Sequence, residues 1–250
     1  MILQQIALDI EKTSDSWYLG MPVIAQLAEQ PLSLDTPVTV IVGENGSGKS
    51  TLLEAVAASW AARLRGAVKH WTPRTGDEDS DLHWAVRLQG EFPPPAGGCF
   101  LRAEAMHQLF TEVDSGTPHQ VFGGALNARS HGESFLAFLS SRDTERGLFI
   151  LDEPEAALSF NSCLQLMVLM DSLVAHGSQV LLATHSPVLA AFPGRRSSNS
   201  ASTAATSARG KTCRWWVIGA TSCPHPTRIC GTCSPPASLD AADRVSRKGH

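Results

Sequence analysis

Four short stretches of this chain carry residues that could do chemistry. The first is Gly43-Glu44-Asn45-Gly46-Ser47-Gly48-Lys49-Ser50-Thr51, which fits the phosphate-loop pattern G-x-x-x-x-G-K-[ST] in full. Glycines let successive backbone N–H groups turn inward on an anion, and a following helix adds partial positive charge at its N-terminus. Lys49 can reach β- and γ-phosphates, and the Ser50 hydroxyl can ligate Mg²⁺. The second is Leu148-Phe149-Ile150-Leu151-Asp152-Glu153-Pro154, four apolar residues running into two carboxylates. A buried strand that ends this way sets both at the carboxyl edge of a sheet, where open α/β sheets bind ligands. Asp152 is then placed to hold Mg²⁺ through water, and Glu153 to orient and deprotonate an attacking water.

The third stretch is Thr184-His185-Ser186-Pro187 at the end of another apolar run. A histidine there can hydrogen-bond a terminal phosphate and the water, although such a residue standing alone would be an ordinary surface histidine. The fourth is Ser130-His131-Gly132-Glu133-Ser134 at a helix start, where hydroxyl, glycine and free N–H groups can form a second anion site. In isolation it reads as a helix cap. Each stretch has a bland alternative, a glycine-rich turn or an acidic turn among them; their joint occurrence in this order favours chemistry.

The elements that must position these residues are legible around them. Residues 38–42 are β-branched and apolar and read as a buried strand before the glycine loop. Leu52, Leu53, Val56, Trp60 and Leu64 recur at helical spacing after it. Residues 2–10 read as a first strand, 82–88 and 99–103 as strands, 104–113 as a helix and 114–129 as loop. A helix is expected over 135–141 and strands over 147–151 and 180–183. A further helix over 161–175 is expected to turn Leu164, Met167, Val168, Met170 and Val174 inward and to close at Gly177. Trp17 and Tyr18 are candidates for stacking on an adenine ring, with core packing as the alternative. The acidic run 77–81 lacks calcium-loop spacing and reads as a solvated loop. The fold class that results is α/β: a phosphate-loop fold with a mostly parallel sheet flanked by helices.

The order of the four motifs resembles the ABC-type ATPase superfamily. The wording of Asp152-Glu153-Pro154-Glu155-Ala156-Ala157-Leu158-Ser159 and of Ala183-Thr184-His185-Ser186-Pro187 is most similar to soluble bacterial AAA family ATPases related to the SMC and OLD types. The resemblance covers residues 1–194 and implies an ABC-ATPase-like head. It implies that residues 43–51 bind the triphosphate of ATP and that Ser50 and Asp152 serve Mg²⁺. By the same resemblance Glu153 is the catalytic base and His185 the switch histidine. Ser130, Gly132 and Glu133 match the family's signature loop, which caps ATP held by the other subunit; a homodimer formed on ATP binding is therefore implied, with residues 156–159 at its interface. The family's glutamine after the third strand has no evident counterpart, since Arg102 or Glu104 occupies that region. A role at nucleic acid follows from kinship only.

Composition bounds the rest. The 250 residues are 43% hydrophobic and 18% charged, enough for one large α/β domain with a core. No apolar run reaches membrane-span length and no secretory leader is evident, so a soluble, cytoplasmic protein without membrane insertion is expected. Up to Gly194 there are 11 Lys/Arg against 22 Asp/Glu; from Arg195 there are nine against two. The acidic body offers no broad basic surface for nucleic acid. Residues 195–250 also hold four of the six cysteines, no Glu and no periodicity, and read as an anomalous, low-order tail. Read one base earlier, with free choice of third bases, that tail can encode strand-like and helix-like patterns from Gly194 and from Trp215; a frameshift explains it. Cys230-Gly231-Thr232-Cys233 leaves a zinc-binding segment as the other reading. Two rival functions stand beside ATP hydrolysis: the ATP-binding subunit of a membrane transporter, and a nucleotide-sensing module that binds ATP without turning it over.

Overall fold

The computed structural model describes residues 1–13, 17–64, 81–116, 122, 124–192 and 214–217. In chain order these form β1 (Leu3–Leu8), α1 (Pro22–Glu29), β2 (Leu32–Ser33), β3 (Val38–Val42) and α2 (Lys49–Arg63). Then come α3 (Leu82–Ala85), β4 (Val86–Gly90), β5 (Gly97–Arg102), α4 (Met106–Gly116) and α5 (His131–Ser140). The series closes with β6 (Gly147–Asp152), α6 (Phe160–Ala175), β7 (Gln179–Thr184), α7 (Pro187–Ala190) and β8 (Arg214–Val217). Short 3₁₀ turns connect several of them.

Five strands form a parallel sheet in the order β5-β6-β7-β3-β8. A parallel sheet needs helices on both faces, which makes its strands nearly continuous apolar runs. Successive side chains alternate between the faces. Ile41, Leu148, Ile150, Leu181 and Ala183 point into one core with α1 and α2. Val40, Phe149, Leu151, Val180 and Leu182 point into the other with α4, α5 and α6. All six residues of β6 and of β7 are buried. Strands β3, β7, β6 and β5 therefore deliver their following loops to one carboxyl edge, side by side.

A three-stranded antiparallel sheet, β2-β1-β4, lies against the first core. The side chain of Gln179 joins it to the parallel sheet. Its Oε1 accepts from Leu3 N and its Nε2 donates to Leu3 O, both at 2.8 Å and buried. One side-chain amide thus plays the part of a backbone partner and satisfies two strand groups that would otherwise be orphaned.

Three expectations are corrected. Residues 82–88 are not one strand: Leu82 and Ala85 are buried one helical turn apart in α3, and alternation starts only at Val86. In α6, Cys163, Leu166, Met170 and Leu173 face the core, whereas Leu164 is 42% and Val168 71% exposed. The helix is apolar on most of its circumference, so periodicity alone could not choose the buried face. Within residues 114–129, 114–116 belong to α4 and Leu126–Ala128 form a 3₁₀ turn.

In the tail, Arg214–Val217 form β8, which pairs in parallel with β3 from Thr39↔Arg214 to Val42↔Val217; the sequence carried no expectation of a strand there. The cysteines of the tail and the acidic residues 77–79 lie outside the described residues.

Candidate functional site

The glycine loop leaves β3 and enters α2 through two residues of positive φ, Gly46 at 77° and Gly48 at 93°. L side chains rarely adopt such angles. A Cβ at Gly48 would come within 2.9 Å of Met21 Cβ and Sδ, so that glycine also admits the close approach of the chain entering α1. Val23 N donates to Ser47 O at 3.0 Å and pins the loop from the same side. Gly48 is the N-cap of α2 and has no side chain to cap it, which leaves first-turn N–H groups free for an external acceptor. Ser47 Oγ is buried without a hydrogen-bond partner among the described residues. A buried orphan hydroxyl in a concave nest of N–H groups is what an incoming phosphate oxygen would satisfy.

Lys49 is 3% exposed, and its ammonium curls back over the loop. Nζ donates to the carbonyls of Gly43 and Glu44, each at 2.9 Å, and lies 3.5 Å from Glu153 Oε1. The lysine is thus braced by its own loop with its charge turned toward the carboxylate that follows β6.

Asp152 ends β6 and is 1% exposed. Its Oδ1 accepts from Ser50 Oγ at 3.0 Å. Its Oδ2 accepts from Arg102 Nε, also at 3.0 Å. Burial pushes its carboxyl above the usual carboxylate range, while Arg102 and the Ser50 hydroxyl pull it back toward ionisation. The donor set fits a hard dication. A serine that gives its hydrogen to Asp152 keeps its lone pairs free for a metal, and hydroxyl and carboxylate oxygens are ligands Mg²⁺ prefers.

Glu153 follows at φ 46°, ψ 49°, a left-handed conformation that few non-glycine residues take. Its N–H donates to Ala183 O at 3.0 Å, which ties the turn to β7. Its two carboxylate oxygens face different partners: Oε1 faces Lys49, and Oε2 lies 3.7 Å from His185 Nδ1. The structure thus brings Lys49, Ser50, Asp152, Glu153 and His185, read from separate motifs, to one sheet edge.

Ser130, Gly132 and Glu133 gather elsewhere. Ser130 N-caps α5 in a reciprocal capping box. Glu133 N donates to Ser130 Oγ at 3.4 Å, and Ser130 N donates to Glu133 Oε2 at 3.1 Å. The Ser130 hydroxyl also donates to Glu133 Oε2 at 2.6 Å, and this bond, with that from Ser130 N, holds the Glu133 carboxyl below its ordinary value. A Cβ at Gly132 would meet Ala157 O at 3.1 Å, so that glycine lets the turn after Glu155 pack against α5. Among the described residues no hydrogen bond or ion pair joins these three residues to the glycine loop.

Tyr18 is fully buried in the first core and cannot stack on a ligand; its neighbour Trp17 is 64% exposed. Sequence reading missed two residues and underused a third. Glu155 was legible only as part of a motif, yet its Oε1 holds the turn after β7. Glu54 is a partner of Arg102, and its signal was its place one helical turn beyond Ser50. Arg102, noted only as standing where a glutamine was expected, is a direct partner of Asp152.

The chain is similar to known ATP-binding proteins. Residues 23–66 match the family described as "AAA domain". Residues 134–191 match "AAA domain, putative AbiEii toxin, Type IV TA system". The "Putative ABC transporter ATP-binding protein" of Streptomyces avermitilis is 31% identical over 169 residues, 62% of this chain, but the match spans only 30% of that protein's length. The "Cytochrome c biogenesis ATP-binding export protein CcmA" of Agrobacterium fabrum is 31% identical over 176 residues, 62% of this chain and 78% of that protein. Among solved structures, the SMC head domain from Thermotoga maritima aligns with a TM-score of 0.40 at 15% identity, covering 76% of this chain and 91% of that one. With its phosphate loop and carboxylate edge in place and a relative matched over more than two thirds of its length, this chain belongs to the ABC-type P-loop ATP-binding proteins.

Proposed function

We propose that this chain binds ATP with Mg²⁺ and hydrolyses it to ADP and phosphate, acting as an ATP-sandwiched homodimer. The observation that carries the reading is Glu153 held between Lys49 at 3.5 Å and His185 at 3.7 Å, at the mouth of the glycine loop. The N–H groups at the start of α2 and the Lys49 ammonium take the triphosphate. Ser50 and Asp152 would hold Mg²⁺, which when bound neutralises phosphate charge. Glu153 accepts a proton from the attacking water, and its left-handed backbone aims the carboxylate off the strand axis toward the loop. His185 lies within reach of the same carboxylate and can hold the water or the departing phosphate oxygen. Ser130, Gly132 and Glu133 offer a helix N-terminus that serves no ligand of their own loop, which supports closure by a second copy.

Steady-state phosphate release tests the reading. Turnover that requires Mg²⁺ and disappears with Lys49→Ala supports it. ATP binding with no release above background would leave a nucleotide-sensing module instead. The names of the Streptomyces and Agrobacterium relatives, an ABC transporter protein and an export protein, favour a second reading, the ATP-binding subunit of a membrane transporter. Among the described residues no helix is long and apolar enough to cross a membrane; copurification with a permease would establish that role.

A further inference from the structure

Arg102 ends β5 and is the register partner of Asp152 on β6. Its guanidinium spans two carboxylates: Nε donates to Asp152 Oδ2 at 3.0 Å, and Nη1 bonds Glu54 Oε1. Glu54 lies on α2, one turn beyond Ser50. Arg102 therefore bridges the two elements that carry the candidate cation ligands, Ser50 on α2 and Asp152 on β6. Both oxygens of Asp152 are engaged, one by a neutral hydroxyl and one by a permanent charge, since a guanidinium does not lose its proton in proteins. The pair is partly to fully buried, Arg102 at 23% and Asp152 at 1% side-chain exposure, so solvent screens the charge little.

We propose that Arg102 is a positioning residue that sets how strongly Mg²⁺ contributes to nucleotide binding. This inference rests on the reading of Ser50 and Asp152 as the cation site. A dication arriving at Asp152 meets a carboxylate that is already partly neutralised and a like charge hydrogen-bonded to its far oxygen. Both effects weaken its hold. Glu54 is the counterweight: it shares the guanidinium and moderates the positive field at Asp152. The fixed fork also sets the carboxylate plane, which keeps Oδ1 toward Ser50. The chain is thereby tuned to take up the cation with the triphosphate, whose own charge overcomes the arginine, and to release it readily afterwards.

The test is titration of the full chain with a fluorescent, non-hydrolysable ATP analogue, in Mg²⁺ and in EDTA. The quantity read is the ratio of the two affinities, which a general loss of fold or of loop geometry would not raise. Arg102→Gln is expected to raise the Mg²⁺ gain about tenfold, because a like charge near the dication is gone. Arg102→Lys keeps a charge but not the fork, and its gain is expected to fall between those of the parent and Arg102→Gln. Glu54→Gln is expected to cut the gain severalfold. An unchanged or reduced gain in Arg102→Gln overturns the inference; if that variant does not fold, an unchanged gain in Glu54→Gln overturns it instead. Asp152→Asn separates the two levels. If it abolishes the gain while Arg102→Gln leaves it unmoved, the cation site stands and this inference alone fails. If Asp152→Asn leaves the gain intact, the cation reading itself is wrong and the inference falls with it.

Discussion

Glu155 holds the turn that presents His185. Its Oε1 accepts from Thr184 Oγ1 at 2.6 Å, from His185 N at 2.8 Å and from Ser186 N at 3.0 Å, and lies 3.4 Å from His185 Nδ1. The turn after β6 and the turn after β7 are thus one hydrogen-bonded unit. Glu155→Ala removes a charged acceptor from three donors and should cost about 2–3 kcal/mol in denaturant unfolding. Turnover should fall with it, since His185 loses its fixed position, while affinity for ATP in EDTA should hold. Glu155→Gln keeps one acceptor oxygen and should recover most of the stability. Equal stability of Glu155→Ala and the parent protein would show that the turn is set by other contacts.

A second prediction concerns the link between sheets. Gln179→Met preserves volume but leaves Leu3 N–H and C=O buried without their partner. Each such loss costs about 1–3 kcal/mol, so a drop of about 2–4 kcal/mol in urea-measured stability is expected. A loss under ~1 kcal/mol would mean that β1 finds other partners.

Gln179 also shows where sequence reading reached its limit. A glutamine opening a buried strand looks like a strand-end polar residue, because its partner, Leu3, lies 176 positions away. Lys49, Ser50, Asp152, Glu153 and His185 were legible because their spacing rules are local: loop to helix, or strand to acidic turn. That they meet at one edge follows from parallel strand order, which the succession of strand and helix already implied. Arg102 had no local pattern and Glu54 only its place one turn beyond Ser50, so their role emerged only from β5 lying beside β6 with α2 packed nearby. The buried face of α6 was not legible either, since Leu164 and Val168 are as apolar as Leu166 and Met170, and packing alone decides between them.

Cys99 offers a probe of β5. Burial pushes its thiol up to about 12, and Cys163 is likewise raised by burial. The thiolate is the reactive form, so both should resist iodoacetamide at pH 8 in the native protein and react once guanidinium unfolds it. Mass spectrometry of the labelled peptides reads this directly. Rapid native labelling of Cys99 would show that β5 opens, and with it the support of Arg102.

Assembly gives a fourth prediction. Among the described residues Ser130, Gly132 and Glu133 share no hydrogen bond or ion pair with their own glycine loop, and the proposed sandwich has them close on a ligand held by another copy. With hydrolysis blocked by Glu153→Gln, saturating ATP and Mg²⁺ should shift the sedimentation coefficient from monomer to dimer, and ADP should not. A monomer at saturating ATP and Mg²⁺ as well as in ADP would remove the sandwich from the account.

The most direct measurement compares binding and turnover in one variant. Glu153→Gln keeps the size of the side chain and its place between Lys49 and His185 but removes the proton acceptor. A fluorescent ATP analogue should bind it within about threefold of the parent affinity, while steady-state phosphate release falls by ~10²-fold or more. Parent-level phosphate release from Glu153→Gln would contradict the assignment of Glu153 as the base, and with it the central claim of how this sheet edge hydrolyses ATP.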